Sequence, residues 1–228
     1  NSPSNPSGAV YSHDELKALG EALRRHPQIL IATDDMYEHI LLSDQKFINI
    51  ANACPELFPQ TMVLNGVSKA YSMTGWRIGY CGGPAHIITA MENIQSQSTS
   101  NPSSISQAAA EAALNGDQSC MNPMVAAFKA RNIFVTEQLN QIRGFRCLSS
   151  DGAFYAFADV RQSIESLYKR NLIVAQNDIV FSEYLLENAG VAVVPGSAFG
   201  CEGYIRLSFA TSLENLQQAL SRIKNLLK

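Results

Sequence analysis

The chain has 228 residues and lacks the features that mark several large classes of proteins. Its 17 basic and 20 acidic residues leave a formal net charge of -3, and no run of Lys or Arg offers a basic surface to nucleic acid or to an anionic membrane. No apolar stretch approaches the length of a membrane span. The composition therefore predicts neither a nucleic-acid-binding protein nor a membrane protein.

Cysteine and histidine are too few and too scattered to indicate a disulfide framework or a metal site. The five cysteines include no CxxC pair, which indicates reduced thiols in a cytoplasmic protein. The four histidines show no metal-ligand spacing such as HExxH, and we expect no bound metal. Hydrophobic residues make up 46% and charged residues 16%, which is enough for a substantial buried core.

The first half of the chain alternates helix and strand patterns. Ser12 and Glu15 have the spacing of a capping box at the start of a helix. Strands are predicted at residues 28–33, 62–64 and 77–80, and helices at residues 85–97 and 103–115. In the helix at 85–97, Met91 and Ile94 are predicted to face inward together with Ile87 and Ile88. Short apolar strands between helices are typical of a mostly parallel sheet covered on both faces.

The second half has the pattern of an α+β unit. A long helix is predicted near residues 123–142, strands at 145–148, 153–158, 191–194 and 204–209, and helices at 178–189 and 213–227. Residues 161–176 show no clear periodicity and receive no assignment. We therefore predict an α/β fold with a domain over residues 1–118 and a smaller α+β domain over residues 119–228, joined by the long helix.

The chain opens on a turn-rich segment without an initiator methionine, Asn1-Ser2-Pro3-Ser4-Asn5-Pro6-Ser7-Gly8. Segments of this kind normally lie between two elements of secondary structure. We expect that something precedes it in the parent protein.

Lys69 and Arg77 lie in a single stretch that follows an apolar run. An amine at the end of a buried strand can form a Schiff base with a carbonyl group, and a planar guanidinium can grip a phosphate through two parallel hydrogen bonds. The alternative is that Lys69 is a solvated loop lysine without a catalytic role, which is the common case for an isolated loop lysine.

Asp34 directly follows the predicted strand at 28–33, and Tyr37 comes three residues later. Ligands of open parallel sheets bind beyond the carboxyl ends of the strands, so both side chains are placed for a site. The alternative for Asp34, or for Asp35, is the cap of a short helix over residues 37–41. Asn5 has the simpler alternative of ordinary turn chemistry.

Arg206 lies in a strand whose alternation puts Ile205, Leu207 and Phe209 on the core face. Arg206 is then on the opposite face, where an arginine is usually solvent-exposed. It is also the residue type that best forks the carboxylate of an α-amino acid.

In combination these segments resemble the fold-type I pyridoxal-phosphate aminotransferases of the class I aspartate aminotransferase kind. The resemblance rests on Asn5-Pro6-Ser7-Gly8, Asp34-Asp35-Met36-Tyr37-Glu38, Ser68-Lys69 with Thr74-Gly75-Trp76-Arg77-Ile78-Gly79, and Tyr204-Ile205-Arg206-Leu207-Ser208. The segments at 151–155 and 193–196 are similar to parts of the family's small domain. The resemblance implies that residues 1–118 are the C-terminal part of the large cofactor-binding domain and that residues 119–228 are the small domain.

The resemblance also implies a role for each residue around the cofactor. Lys69 would hold pyridoxal phosphate as a Schiff base and, once released, would move the proton between the substrate α-carbon and the cofactor. Asp34 would pair with the pyridinium nitrogen, and Tyr37 and Asn5 would hydrogen-bond the phenolic oxygen of the ring.

Two further contacts follow from the same resemblance. Arg77 would hold the phosphate, with Ser68 as a helper, and Arg206 would bind the substrate α-carboxylate. Many relatives have a serine three residues before the lysine, where this chain has Gly66, so one phosphate contact differs.

The predicted function is amino-group transfer from an amino acid such as aspartate to a 2-oxo acid, by a homodimer. The family's N-terminal portion, with its glycine-containing phosphate turn and ring-stacking aromatic residue, is absent from this sequence. We therefore expect the chain to be inactive alone. Two alternatives stay open: a carbon–sulfur β-lyase built on the same fold, and a non-catalytic fragment or dimerisation module.

Overall fold

A computed structural model describes all 228 residues and divides them into two compact units. The first unit comprises Asn1–Ser4 and Ala9–Val125, and the second comprises Asn5–Gly8 and Ala126–Lys228. The short segment Asn5–Gly8 thus belongs with the C-terminal part of the chain. The assignment of residues 1–118 and 119–228 as functional domains stays a prediction.

The first unit contains a three-stranded sheet. Its helices are α1 (His13–Leu23), α2 (Ile50–Ala53), α3 (Ala85–Ser96) and α4 (Ser104–Asn115), and its strands are β1 (Ile31–Asp34), β2 (Thr61–Gly66) and β3 (Gly79–Gly82). In the order β1-β2-β3, β1 pairs with β2 in parallel and β2 pairs with β3 antiparallel. The predicted α/β class is confirmed, and the sheet of this unit is mixed.

The packing of α1 explains the local core of the first unit. The capping box is confirmed, because Ser12 N donates to Glu15 Oε2 at 2.8 Å and Glu15 N donates to Ser12 Oγ at 3.3 Å. Leu16 of α1 joins a buried cluster with residues 50, 53, 54 and 57. A Cβ at Gly20 would clash with Cys54 Sγ, so glycine is what permits this close approach.

Apolar residues that the sequence predicts to be buried are exposed in two places, in α3 and just before β1. Met91 and Ile94 of α3 are 38% and 72% exposed, and α3 has no buried residue. Leu30, inside the apolar run before β1, is 65% exposed, and the strand begins only at Ile31. Periodicity identifies which residues share a face, but burial also requires an element that packs on that face. Ile87 and Ile88 on the same face are half-buried, so this face is covered only partly and least at Ile94.

The second unit is built on a four-stranded antiparallel sheet. Its strands are β4 (Arg146–Cys147), β5 (Tyr155–Asp159), β6 (Val194–Pro195) and β7 (Tyr204–Ser208), in the order β4-β5-β7-β6. Its helices are α6 (Arg161–Lys169), α7 (Asp178–Ala189) and α8 (Leu213–Leu226), together with most of α5 (Asn122–Asn140). The predicted long helix is therefore present as α5, and α6 occupies part of the region that periodicity left unassigned.

Local sequence signals set the ends of the last helices. Asn177 Oδ1 accepts from Val180 N at 2.9 Å at the start of α7, and Gly190 ends that helix in the left-handed conformation with φ 64°. Ser212 caps α8 by accepting from Asn215 N at 3.2 Å. None of the helices in the structure is both long enough and apolar enough to cross a membrane.

Candidate active site

Two predicted site residues lie at the same edge of the first sheet. Asp34 is the last residue of β1 and stands opposite Leu64 of β2 in the parallel register. β2 ends at Gly66, and Ser68 and Lys69 lie in the turn that follows. The carboxyl ends of paired parallel strands meet at one edge, which is where open α/β sheets bind ligands.

The turn that carries Lys69 is anchored on both sides. Val67 is fully buried and Ala70 is 4% exposed, and Lys69 itself is half-buried. Within the turn, Tyr71 N donates to Val67 O and Ser72 N donates to Lys69 O, both at 3.3 Å. A lysine held between buried neighbours has a defined place in the fold, in contrast to one on a fully solvated loop.

Asp34 and Tyr37 are connected by a tight turn. Asp34 Oδ1 accepts from Met36 N at 3.2 Å, and the Asp34 carbonyl accepts from Asn1 Nδ2 at 3.0 Å. Tyr37 is 5% exposed, and its carbonyl accepts from Ile40 N at 2.8 Å. Residues 36–39 form a turn and no helix follows, so the alternative of Asp34 or Asp35 as a helix cap is wrong.

Asp35 is a buried carboxylate whose role the sequence did not reveal. It is 1% exposed and accepts from Thr33 Oγ1 at 2.7 Å and from Asn49 Nδ2 at 2.9 Å. Its backbone N–H donates to Leu64 O at 2.9 Å. Burial raises the pKa of Asp35, and the hydrogen bonds from Thr33 and Asn49 partly oppose that shift. Asp35 thus ties the end of β1 to β2 and to the residue that caps α2.

Arg77 is held in a strained backbone conformation. It closes a short 3-10 turn with φ 52° and ψ 48°, in the left-handed region that residues other than glycine rarely adopt. The side chain is exposed, and Nη1 donates to Thr74 O at 2.8 Å. Strain of this kind is concentrated at functional sites, which agrees with a binding role for this guanidinium.

Gly66 has a structural reason to differ from the serine of many relatives. It pairs with Gly79 across the antiparallel ladder between β2 and β3. A Cβ at this position would lie 3.1 Å from Met36 Sδ, 3.2 Å from Gly79 Cα and 3.3 Å from Ile78 O. A serine here would press on all three neighbours, so they would have to shift to admit it.

The structure brings Asn5 and Arg206 together within the second unit. Arg206 Nη1 donates to Asn5 Oδ1 at 2.6 Å, although the two residues are 201 positions apart. Gly8 holds the Asn5 segment in place, because its carbonyl accepts from Asp151 N at 3.0 Å and Gly152 N at 2.9 Å. Its φ is +70°, and a Cβ added here would lie 2.5 Å from Ser150 Cβ, so this position requires glycine.

The predicted site residues therefore fall into two groups. The first unit carries Asp34, Tyr37, Ser68, Lys69 and Arg77, and the second unit carries Asn5 and Arg206. The structure contains no group of three or more His, Cys, Asp or Glu side chains that could hold a metal ion.

The family follows from a match along nearly the whole chain. A family model described as aminotransferase class I and II matches residues 1–223. The chain belongs to the class I and II aminotransferases. A curated relative of this aminotransferase chain, named aspartate/prephenate aminotransferase, from Nitrosomonas europaea, is 70% identical over 227 residues, which cover 100% of this chain and 57% of the relative.

Solved structures support the same assignment. The aspartate aminotransferase from Rhizobium meliloti has a TM-score of 0.89 and 46% identity, covering 100% of this chain and 56% of that one. The aspartate aminotransferase from Thermus thermophilus solved with maleate has a TM-score of 0.85 and 38% identity, covering 99% and 55%. This aminotransferase chain thus spans a little more than half the length of the relatives it matches.

Proposed function

We propose that this chain carries four site residues of a pyridoxal-phosphate-dependent aminotransferase. They are the lysine Lys69, the carboxylate Asp34 and the arginines Arg77 and Arg206. The observation that carries the proposal is the placement of Asp34 and Lys69 at one carboxyl edge of paired parallel strands. The match of residues 1–223 to the aminotransferase family supports it. In the reaction, the amino group of an amino acid passes to a 2-oxo acid, so that the donor becomes a 2-oxo acid and the acceptor becomes an amino acid.

The residues of the first unit fit the functional groups of pyridoxal phosphate. Lys69 supplies an amine for its aldehyde, Asp34 a carboxylate for its ring nitrogen, and Tyr37 a hydroxyl for its phenolic oxygen. Arg77 supplies an exposed guanidinium for its phosphate, with Ser68 as a second donor. When bound, the cofactor supplies an electron-accepting ring that stabilises negative charge at the substrate α-carbon.

Lys69 would be the group that moves the proton. Its amine would take the proton from the α-carbon of the amino acid and deliver it to C4′ of the cofactor. The anchored turn around Lys69 would keep the amine within reach of both atoms. Asp34 would keep the ring nitrogen protonated through a charge-assisted hydrogen bond.

Arg206 would bind the α-carboxylate that all amino acids and 2-oxo acids share. Its planar fork matches a carboxylate through two parallel hydrogen bonds. Asn5, which accepts from Arg206 Nη1, would orient that fork and also hydrogen-bond the phenolic oxygen of the cofactor.

The names of the relatives narrow the proposed substrates. We propose aspartate or glutamate as the amino donor, with 2-oxoglutarate and prephenate, itself a 2-oxo acid, as acceptors. The 70% identical relative is named for aspartate and prephenate. We call a protein that contains this chain and has the length of these relatives the intact enzyme. We propose that the intact enzyme acts as a homodimer in the cytoplasm. We expect the 228-residue chain by itself to be inactive.

The proposal is tested by product analysis on the intact enzyme. Aspartate with 2-oxoglutarate, and glutamate with prephenate, are expected to give the exchanged pairs, while Lys69→Ala abolishes turnover. Release of a thiol from a cystathionine-like substrate without amino transfer would favour the β-lyase, and no turnover with any donor would favour a non-catalytic protein. Full activity of the 228-residue chain would contradict the expectation that it is inactive alone.

A further inference from the structure

Arg206 sits at the centre of the second sheet, with a strand on each side. It stands opposite Phe157 of β5 and opposite Val194 of β6. Its neighbours on β7, Ile205 and Leu207, are 0% and 5% exposed and belong to the core face. Arg206 therefore projects from the other face, beside the side chains that β5 presents there.

Two aromatic rings lie close to the guanidinium. The Arg206 Cζ lies 4.4 Å from the centroid of the Tyr155 ring and 5.0 Å from that of Phe199. Both distances are within the range of about 6 Å in which the negative face of a ring attracts a cation. The hydrogen bond to Asn5 fixes Nη1, while the rings restrict the rest of the group.

The Nε atom of Arg206 is buried and has no hydrogen-bond partner. Leaving a charged donor buried without a partner is unfavourable unless another attraction offsets the loss of water. The two rings supply that attraction, since a desolvated cation over an aromatic face is stabilised more strongly than a solvated one. Because Nε is buried, only the Nη side of the fork remains for a ligand.

The two rings are themselves held by other aromatic residues. Phe199 meets Phe157 edge to face, with centroids 6.3 Å apart and planes at 89°. Tyr155 is 6% exposed and packs against Phe154 at 4.7 Å. Rings in such contacts have little freedom to swing away, so they restrict the movement of the guanidinium beside them.

We propose that Tyr155 and Phe199 are positioning residues that prepare Arg206 to receive the substrate carboxylate through its Nη side. The inference rests on the proposed function, because it assigns Arg206 to the substrate. Pre-organisation of the fork strengthens carboxylate binding before and during the reaction alike. Loss of either ring is therefore expected to raise KM and to leave kcat nearly unchanged.

The test compares ring-removing and ring-keeping variants of the intact enzyme. Phe199→Leu and Tyr155→Leu are expected to raise KM for both amino acid and 2-oxo acid about tenfold, with kcat within about twofold of wild type. Phe199→Tyr and Tyr155→Phe keep a ring and are expected to restore KM. Tyr168→Leu, an aromatic residue of α6 that is 45% exposed, is the matched control and is expected to change neither constant.

A binding measurement separates positioning from turnover. Calorimetric titration with succinate, a dicarboxylate that is not a substrate, is expected to show the same loss of affinity, about tenfold, in both leucine variants. In the wild-type enzyme, the Nε–H of Arg206 is expected to give a slowly exchanging proton resonance shifted by the ring currents, assigned by its loss in Arg206→Lys. This second readout does not depend on whether the leucine variants fold.

The outcomes distinguish this inference from the proposed function. If the wild-type enzyme transfers no amino group, the proposed function fails. If it does, and the leucine variants match Tyr168→Leu in KM and succinate affinity, the positioning role is wrong. A fall in kcat with unchanged KM in the leucine variants would also contradict the positioning role. So would an Arg206 Nε–H in the wild-type enzyme that exchanges as fast as that of a solvent-exposed arginine.

Discussion

The backbone of Arg77 offers a way to separate strain from binding. Its φ of 52° and ψ of 48° lie close to the ideal left-handed values, a conformation that costs a residue with a Cβ about 1–2 kcal/mol. Glycine adopts it without that cost but loses about 0.5–1 kcal/mol more in chain entropy on folding. We therefore expect Arg77→Gly to be about 0.5–1 kcal/mol more stable than Arg77→Ala.

The comparison of these two variants isolates the backbone. Both lose the guanidinium and its hydrogen bond to Thr74 O, so only the conformational preference at position 77 differs. Gly75 is the matched control, because it has no positive φ and a Cβ added there would meet no atom within 4 Å. Gly75→Ala is expected to stabilise the chain by about 0.4–1 kcal/mol, the opposite preference at a position two residues away.

Trp76 provides the assay. It is the single tryptophan of the chain, is 47% exposed and adjoins Arg77, so denaturant unfolding followed by its fluorescence reports on this segment. Both Arg77 variants are also expected to bind pyridoxal phosphate about 10- to 100-fold more weakly in the intact enzyme, the usual range for a lost charge-assisted contact. Equal free energies of unfolding for Arg77→Gly and Arg77→Ala would refute the backbone strain at position 77. An affinity for pyridoxal phosphate equal to that of the wild-type enzyme in both variants would refute the contact between Arg77 and the phosphate.

Two further predictions concern buried groups. Asp35→Ala is expected to destabilise the chain by about 2–4 kcal/mol in denaturant unfolding, because it leaves the donors of Thr33 and Asn49 without their acceptor. Asp35→Asn is expected to destabilise the chain by less. Since burial raises the pKa of Asp35, the folded chain binds more protons than the unfolded chain from about the ordinary value of 3.8 upward. The free energy of unfolding of the wild-type chain therefore falls as the pH rises through the interval up to the raised pKa. Asp35→Asn removes the titrating group and is expected to remove this fall. The same slope of unfolding free energy against pH in Asp35→Asn and wild type would contradict the role of Asp35. For the thiols, burial raises the pKa of Cys147 to about 11, while Cys120 is exposed. Iodoacetamide at about pH 8 is expected to label Cys120 in the native chain and to leave Cys147 unmodified until denaturation, as peptide mapping can check, and early labelling of Cys147 would contradict its burial.

The parts of the fold that follow from sequence are those set by neighbouring residues. Helix α7 begins after Asn177 and ends at Gly190 because these residues cap its two ends. The alternation of β7 places Arg206 on the sheet face that points away from the core. The position of Asp34 after an apolar strand likewise indicates the edge of a sheet. In each case the determining residues lie within a few positions of one another.

Long-range contacts could not be predicted in this way. Asn5 meets Arg206 only because Gly8 binds the chain at Asp151 and Gly152, and no local pattern signals it. The rings around Arg206 come from β5 and from a turn after β6, which only the folded sheet brings together.

Side-chain burial and backbone strain also could not be read from the sequence. The apolar spacing of α3 predicts a buried face, but Ile94 on that face is 72% exposed. The left-handed conformation of Arg77 could not be anticipated, because arginine rarely adopts it and nearby Gly75 would accept it more readily. Asp35 looked like a helix cap and proved to be a buried acceptor.

The identity of the cofactor-bearing amine is the point on which the proposed chemistry depends most. The intact enzyme is incubated with pyridoxal phosphate and reduced with borohydride, which fixes the cofactor to whichever amine carries it, and the labelled peptide is then mapped by mass spectrometry. One label per chain on Lys69, lost in Lys69→Ala, is the expected result. No label, or label on another lysine or scattered over several, would contradict the assignment of Lys69 and with it the proposed aminotransferase site.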